Sequence, residues 1–301
     1  MSWLAFALCG PVLWAISTHL DKYLVERYFK DADVVVLLVF TALMGLVLLP
    51  IIPWFAPVMQ RDWTSIGLMT LSGLLYMSGL TFYLRALQGH EASVVAPFFQ
   101  SSPLFGYVLA YLVLGETLTG TQLAGGALIV AGVLSVSIVG GPHRERFRWK
   151  LAALMLTCGF VMSLSTLIFK AFAIKDEFWI TTFWMFVGEA LFGLGFLCIG
   201  KYRRQFFDLL RGNGGALLAI NASNELINLG GGLANRYALL FAPLSIVQAI
   251  GSTTTLFVFA IGVLLTLAVP RFSRENLSVR ECVSKGVAAV LVAFGVALVS
   301  R

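Results

Sequence analysis

A polar stripe inside an apolar segment holds the residues best placed for chemistry. Residues 221–237 read NASNELINLGGGLANRY. Five polar residues there share one helical face, with offsets of 0, 3, 4, 7 and 14: Asn221, Asn224, Glu225, Asn228 and Asn235. A carboxylate at the centre of a membrane helix costs about 2.5–3.5 kcal/mol on insertion scales, so it must be paired, protonated or hydrated. The stripe predicts a wet cavity wall where Glu225 binds a cation or exchanges a proton; a hydrogen-bonded contact with another helix is the alternative.

A second acid and a second polar face extend the predicted substrate-binding set. Glu189 lies near the middle of another apolar segment, with Trp184 close by, and two acids together can flank a cation, which aromatic neighbours also favour. Four residues share a face of segment 243–268: Ser245, Gln248, Ser252 and Thr255. Gln100 holds a matching position in segment 92–114, and Trp14 lies on a polar face of the first segment. Helix–helix hydrogen bonds are the alternative for these groups.

Signatures of catalytic and metal sites are incomplete in this chain. His90 and Glu91 begin an HExxH pattern, but Val94 stands where the second histidine should be. GFLCIGKY at 195–202 has P-loop spacing, but Tyr202 replaces the Ser or Thr that binds magnesium. The 3 histidines are far apart and the 4 cysteines form no CxxC pair. We therefore expect no enzyme, no metal, no cofactor and no direct use of ATP.

The composition requires lipid as the solvent of most of the chain. Hydrophobic residues make up 59% and charged residues 12%, against about 25% charged in soluble proteins. Ten apolar segments are long enough to span a bilayer: roughly 3–21, 34–53, 63–84, 92–114, 121–140, 149–170, 178–200, 214–236, 243–268 and 284–300. The predicted fold class is an all-α polytopic membrane protein with ten transmembrane helices and no soluble domain, in the cytoplasmic membrane.

Charge distribution bears on partners and orientation. The net charge of +6 does not indicate a nucleic-acid partner, because the basic residues form no single patch. Of the 21 Lys and Arg residues, 16 follow the odd-numbered segments and 5 lie on the other side, which favours external termini. Arg85 and Arg236 end the third and eighth segments, where we expect them to snorkel to the headgroups. We expect Asp21, near the end of the first segment, to be a solvated interface residue.

The two halves of the chain repeat each other. CGPV at 9–12 matches CGFV at 158–161, and SVVAPFFQSSPLF at 93–105 matches SIVQAIGSTTTLF at 245–257. We predict a first five-helix repeat at 1–140 and a second at 141–301. Five is odd, so the second copy is inverted in the membrane, an arrangement that suits alternating access to a site between the copies.

The stretch ETLTGTQLAGGALIVAGV at 116–133 resembles the G-E-x-L-T-x-x-Q-x-x-G-x-x-L-I-x-x-G-V pattern of EamA-type transporters in the drug/metabolite transporter superfamily. YLRALQGHEASVVAPFFQSSPLF at 83–105 also fits that family. The resemblance implies small-metabolite transport, usually secondary and often export, and a structural role for Glu116. Family members usually have cytoplasmic termini, which is the reverse of the charge count, so the orientation stays open.

These observations together predict a secondary transporter of a small polar or amine-bearing metabolite that works by alternating access. Export coupled to protons is a further hypothesis, which the two acids motivate. A flippase of a lipid-linked headgroup, with a lateral opening, is the alternative. The expected partners are the small-molecule substrate and membrane lipids, and both a monomer and a homo-oligomer are compatible with the sequence.

Overall fold

The described residues form a bundle of helices. The computed structural model describes residues 3–29, 33–46, 49–89, 102–139 and 149–268, and residues 283, 287, 290–292 and 294–298, which are helical. The continuous helices are α1 (Trp3–Arg27), α2 (Val34–Gly45), α3 (Trp63–Gly89), α4 (Ser102–Leu114), α5 (Gly120–Val139), α6 (Trp149–Asp176), α7 (Phe178–Leu197), α8 (Gly200–Ala238), α9 (Leu244–Gly251) and α10 (Thr254–Ala268). Over these ranges no strand occurs.

The apolar lengths of these helices suit a bilayer. Within the described part of the chain, five spans are long and apolar enough to cross it: Trp3–Leu24, Trp63–Ala86, Lys150–Ile174, Phe178–Leu197 and Leu244–Leu265. Shorter apolar helices cover Val34–Leu43, Ser102–Leu114 and Gly120–Gly132. The predicted class, an all-α polytopic membrane protein, is confirmed, whereas the count of ten transmembrane helices stays a prediction.

Helix α8 is much longer than the sequence segment that predicted it. It has 39 residues and is about 58 Å long at 1.5 Å per residue, against a hydrocarbon core of about 30 Å. Its first turns read GKYRRQFF, where Arg203 and Arg204 are exposed and Phe206 packs on Phe40 of α2, with ring centroids 4.5 Å apart. This amphipathic beginning is too polar to register as a membrane segment, so hydropathy placed the start at residue 214.

The predicted ninth segment is a broken helix. Helix α9 ends at Gly251 and α10 begins at Thr254. At the break, the N–H of Ser252 donates to the carbonyls of Gln248 and Ala249 at 3.0 and 3.2 Å, which tightens the chain into a 3₁₀-type turn. The Ser252 hydroxyl donates to the Ala249 carbonyl at 2.6 Å. Such side-chain bonds to the backbone compete with helical continuation.

Glycines permit very close contact between α3 and α7. A Cβ atom on Gly73 of α3 would overlap the carbonyl oxygen of Met185, and one on Gly188 of α7 would overlap that of Thr70. Membrane helices gain little hydrophobic energy from association, so small residues that bring backbones together supply the packing energy. The α3–α7 contact therefore depends on Gly73 and Gly188.

We predict that Gly73→Ala and Gly188→Ala each destabilise the protein by about 1–3 kcal/mol, the usual cost of overpacking. Gly67→Ala is the matched control on α3, because nothing lies within 4 Å of a Cβ built there. Thermal unfolding of the purified protein in detergent measures the three effects. Equal unfolding temperatures for Gly73→Ala and Gly67→Ala would contradict the assigned role of the contact.

Candidate functional site

The polar stripe of α8 points into the bundle rather than toward lipid. The exposed fractions of Asn221, Asn224 and Glu225 are 1%, 0% and 7%, while Asn228 and Asn235 are half-buried. The helical face predicted from the spacing is therefore an interior face.

Asn224 joins α8 to α1. The Ser17 hydroxyl donates to Oδ1 of Asn224 at 2.7 Å, and Nδ2 of Asn224 donates to Oδ1 of Asp21 at 2.7 Å. Helix–helix hydrogen bonding, the alternative reading of the stripe, therefore accounts for this asparagine. The expectation that Asp21 is a solvated interface residue is wrong, because α1 continues to Arg27 and the Asp21 side chain turns toward α8.

Glu225 is held by α2. The Thr41 hydroxyl donates to Oε1 of Glu225 at 2.7 Å. Thr41 is not among the residues predicted from the sequence, although it is the one hydroxyl residue in VVVLLVFTALMG. A lone polar residue in so apolar a helix is a signal that could have found it.

Asn221 differs from Asn224 and Glu225 because, within the described part of the chain, its buried side chain has no hydrogen-bond partner. Among the described residues, neither Nδ2 nor Oδ1 of Asn221 has a hydrogen-bond partner. A buried polar group left without a partner costs about 1–3 kcal/mol, and native structures rarely retain such groups without a reason. Asn221 therefore has the free hydrogen-bonding capacity that a bound polar molecule or a water molecule would need.

The second acid, Glu189, is paired with Arg236. Nη2 of Arg236 lies 3.1 Å from Oε1 of Glu189, and the two side chains are 10% and 7% exposed. The expectation that Arg236 snorkels to the headgroups is wrong: its guanidinium lies 5.5, 5.6 and 5.3 Å from the ring centroids of Tyr76, Phe169 and Phe186. The reason is that a carboxylate and three aromatic rings already surround this position inside the bundle. Arg85, by contrast, is exposed.

The remaining predicted residues that the structure describes lie around α9. Nε2 of Gln248 donates to the Ser163 hydroxyl at 3.2 Å, while its Oε1 has no partner among the described residues. The Trp14 ring of α1 contacts the positions of Gly231 in α8 and Gly251 in α9. Ser252 bonds to its own helix, as described above. Gln100 lies outside the described residues.

An ion pair anchors the beginning of α9. The Lys170 ammonium of α6 pairs with Glu116, and it donates to the Ala242 carbonyl at 2.6 Å. Oε2 of Glu116 accepts the N–H of Leu244, the first residue of α9, at 2.9 Å, and an acid at a helix N-terminus is favourable. These contacts are consistent with the structural role that the resemblance to EamA-type transporters implies for Glu116.

We predict opposite stability effects for two asparagines of the same stripe. Asn224→Leu leaves Asp21 without its partner and should lower the free energy of unfolding by about 1–3 kcal/mol. Asn221→Leu removes only an unpartnered amide and should leave the stability unchanged or raise it. Thermal unfolding of both variants measures the difference, and a large destabilisation by Asn221→Leu would show that this side chain has a structural partner.

Comparisons with known proteins agree with this architecture. Residues 1–138 match the model of the EamA-like transporter family. The chain is 30% identical over 162 residues to a protein of Salmonella typhimurium described as a probable amino-acid metabolite efflux pump, an alignment that covers 49% of this chain and 52% of that protein. The chain thus spans about half the length of the curated relative that it matches.

A solved structure supports the fold over the whole chain. It is titled only "Crystal structure of protein" and is 14% identical, with a TM-score of 0.63 over 99% of this chain and 96% of that one. At this identity the likeness shows the fold alone. The predicted resemblance to EamA-type transporters is confirmed, because residues 1–138 match the model of the EamA-like transporter family.

Proposed function

We propose that this protein is a secondary transporter that moves a small polar or amine-bearing metabolite across the cytoplasmic membrane. The observation that carries the proposal is the interior polar stripe, where Glu225 and the unpartnered Asn221 are 7% and 1% exposed inside an apolar bundle. Buried ionisable residues in membrane helices mark substrate or ion pathways. The family match over residues 1–138 supports transport rather than catalysis.

The name of the Salmonella relative guides the choice of substrate class. That protein is described as a probable amino-acid metabolite efflux pump, and an amino acid carries an amine. In this chain Glu225 offers a negative charge to an amine, and Asn221 offers an amide donor and acceptor. Export is therefore the direction that we propose.

Alternating access fits the arrangement of the helices. We propose that residues 1–140 and 141–301 act as two inverted repeats that move relative to each other about the site. The polar contacts of α8 reach across this division, because Ser17, Asp21 and Thr41 belong to the first repeat and Asn224 and Glu225 to the second. The broken α9–α10 segment supports the proposal, since discontinuous helices commonly line transporter sites.

Glu225 has a direct role in coupling within this proposal. In one state its carboxyl group carries a proton, and in the other it carries a charge that the substrate neutralises. Thr41 orients the carboxyl group through its 2.7 Å hydrogen bond. Exchange of a proton for an amine at one carboxyl group avoids leaving a bare charge in the membrane interior.

Transport is tested with the purified protein in proteoliposomes that contain radiolabelled amino acids or monoamines. We expect counterflow of at least one labelled compound above the level of protein-free vesicles. Accumulation of none of them, with lipid-linked headgroups translocated instead, would replace the proposal by a flippase.

We predict that Glu225→Gln abolishes substrate-dependent proton flux into the same vesicles, because the amide cannot carry the exchanged proton. Asp208→Asn is the matched control, since Asp208 is an exposed acid on the same helix, and it should leave the flux unchanged. A Glu225→Gln variant with normal flux would remove Glu225 from the coupling role.

A further inference from the structure

The ion pair between Glu189 and Arg236 brings helices of both predicted repeats to one point. Arg236 belongs to α8, Glu189 and Phe186 to α7, and Phe169 to α6, while Tyr76 comes from α3 of the first repeat. All three rings lie within 5.6 Å of the guanidinium carbon. The pair therefore lies between the two predicted repeats, which we propose to move relative to each other during transport.

Stability alone is a weak reason for a chain to keep such a pair. Two charges lose their hydration when they are buried, and their attraction often does not repay that loss, so apolar residues of similar volume serve as well or better. Cation–π contacts with three rings add to the attraction for Arg236, but they would equally favour any other cation at this position. The pair is better explained by a ligand that uses its two charges.

The geometry of the pair leaves part of the arginine available. The contact with Glu189 is made by a single terminal nitrogen, Nη2, at 3.1 Å, whereas the guanidinium fork can hold a carboxylate by two parallel hydrogen bonds. The Arg236 side chain also keeps 10% of its area exposed. In the proposal below, this exposed part of the guanidinium is where a second carboxylate binds, while the aromatic rings cover its other surroundings.

We propose that Glu189 and Arg236 form a recognition site for a substrate that carries both a carboxylate and an ammonium group, as a free amino acid does. This inference rests on the proposed function and names its substrate class. The substrate carboxylate binds Arg236, and the substrate ammonium binds Glu189 beside the aromatic rings, at a stage of transport separate from the proton–amine exchange proposed at Glu225. Each protein charge exchanges one partner of opposite sign for another, so the site stays neutral with and without substrate.

This exchange predicts discrimination against compounds with one charge. An amine without a carboxylate that displaces Arg236 from Glu189 leaves a buried guanidinium unpaired, and an acid without an amine leaves Glu189 unpaired. A site built for a polar group rejects an analogue that lacks it, because the site's own buried group then has no partner. The pair thus acts as a filter for zwitterions.

The filter is tested with three sets of probes and the full-length protein in detergent. The sets are L-leucine, L-phenylalanine and L-serine, each with its primary amide, which lacks the carboxylate, and its N-acetyl derivative, which lacks the ammonium. Binding is measured by isothermal titration calorimetry. We expect at least one free amino acid to bind, and its two derivatives to bind about 10- to 100-fold more weakly, as expected for the loss of a charged hydrogen bond.

Two outcomes of this measurement would overturn the proposal. One is equal affinity for a free amino acid and its amide, and the other is failure of all three free amino acids to bind. Counterflow of monoamines in proteoliposomes distinguishes failure of this proposal from failure of the proposed function. If monoamines are transported without preference for zwitterions, the transport function is retained and the role of the ion pair in selectivity is refuted.

The double variant Glu189→Met/Arg236→Met tests whether the pair is the source of the discrimination. The double variant should fold, because apolar residues of similar volume can replace a buried ion pair. The ratio of affinities between the amino acid and its amide should fall to about one. Arg236→Lys keeps the charge but not the fork, and we expect an intermediate ratio. Arg204→Met, an exposed arginine of the same helix, should keep the ratio of the unaltered protein. A double variant that folds and keeps that ratio would refute the assignment.

Discussion

Inside a bilayer no water is available to complete the hydrogen bonds of a buried polar group, and this constraint organises the interior of the protein. Asn224 of α8 finds its partners in α1, Glu225 finds one in α2, and Glu189 of α7 pairs with Arg236 of α8. Lys170 of α6 is satisfied by Glu116 and a backbone carbonyl at the beginning of α9. The first three contacts join α8 to α1, α2 and α7, and so specify which helices lie beside α8, whereas the Lys170 contacts join α6 to the beginning of α9.

Close backbone packing is the counterpart of these polar contacts. Gly73 and Gly188 let α3 and α7 approach until a methyl group would no longer fit, and Gly231 receives the Trp14 ring against α8. Tyr76, about one turn along α3 from Gly73, lies beside Arg236, so the close α3–α7 contact and this contact with the ion pair occur in the same part of the bundle. Packing and polar recognition thus support the same arrangement, which is the condition for a single stable structure.

Two of the groups that break the rule of satisfied partners belong to the proposed substrate-binding set. Asn221 has a buried amide without a partner, and Gln248 has a free carbonyl oxygen, within the described part of the chain. Asn221 lies on α8, which also carries Arg236, and Gln248 lies on α9, just before the α9–α10 break. A transporter needs interior polar groups that bind the protein in one state and the substrate in another, and a partly satisfied network provides them.

The sequence by itself determined the helical membrane architecture, the inward polar face of α8 and the resemblance to EamA-type transporters, because hydropathy, helical period and short motifs are local properties. It could not determine the partner of each polar residue, since a face of known composition can pack on any of several neighbouring helices. Only the tertiary structure decided that Asn224 meets Asp21, that Thr41 holds Glu225 and that Arg236 turns inward to Glu189 rather than outward to the headgroups. The physical reason is that an ion pair in a medium without water depends on the distance between two helices, and the order of residues along one helix does not contain that distance.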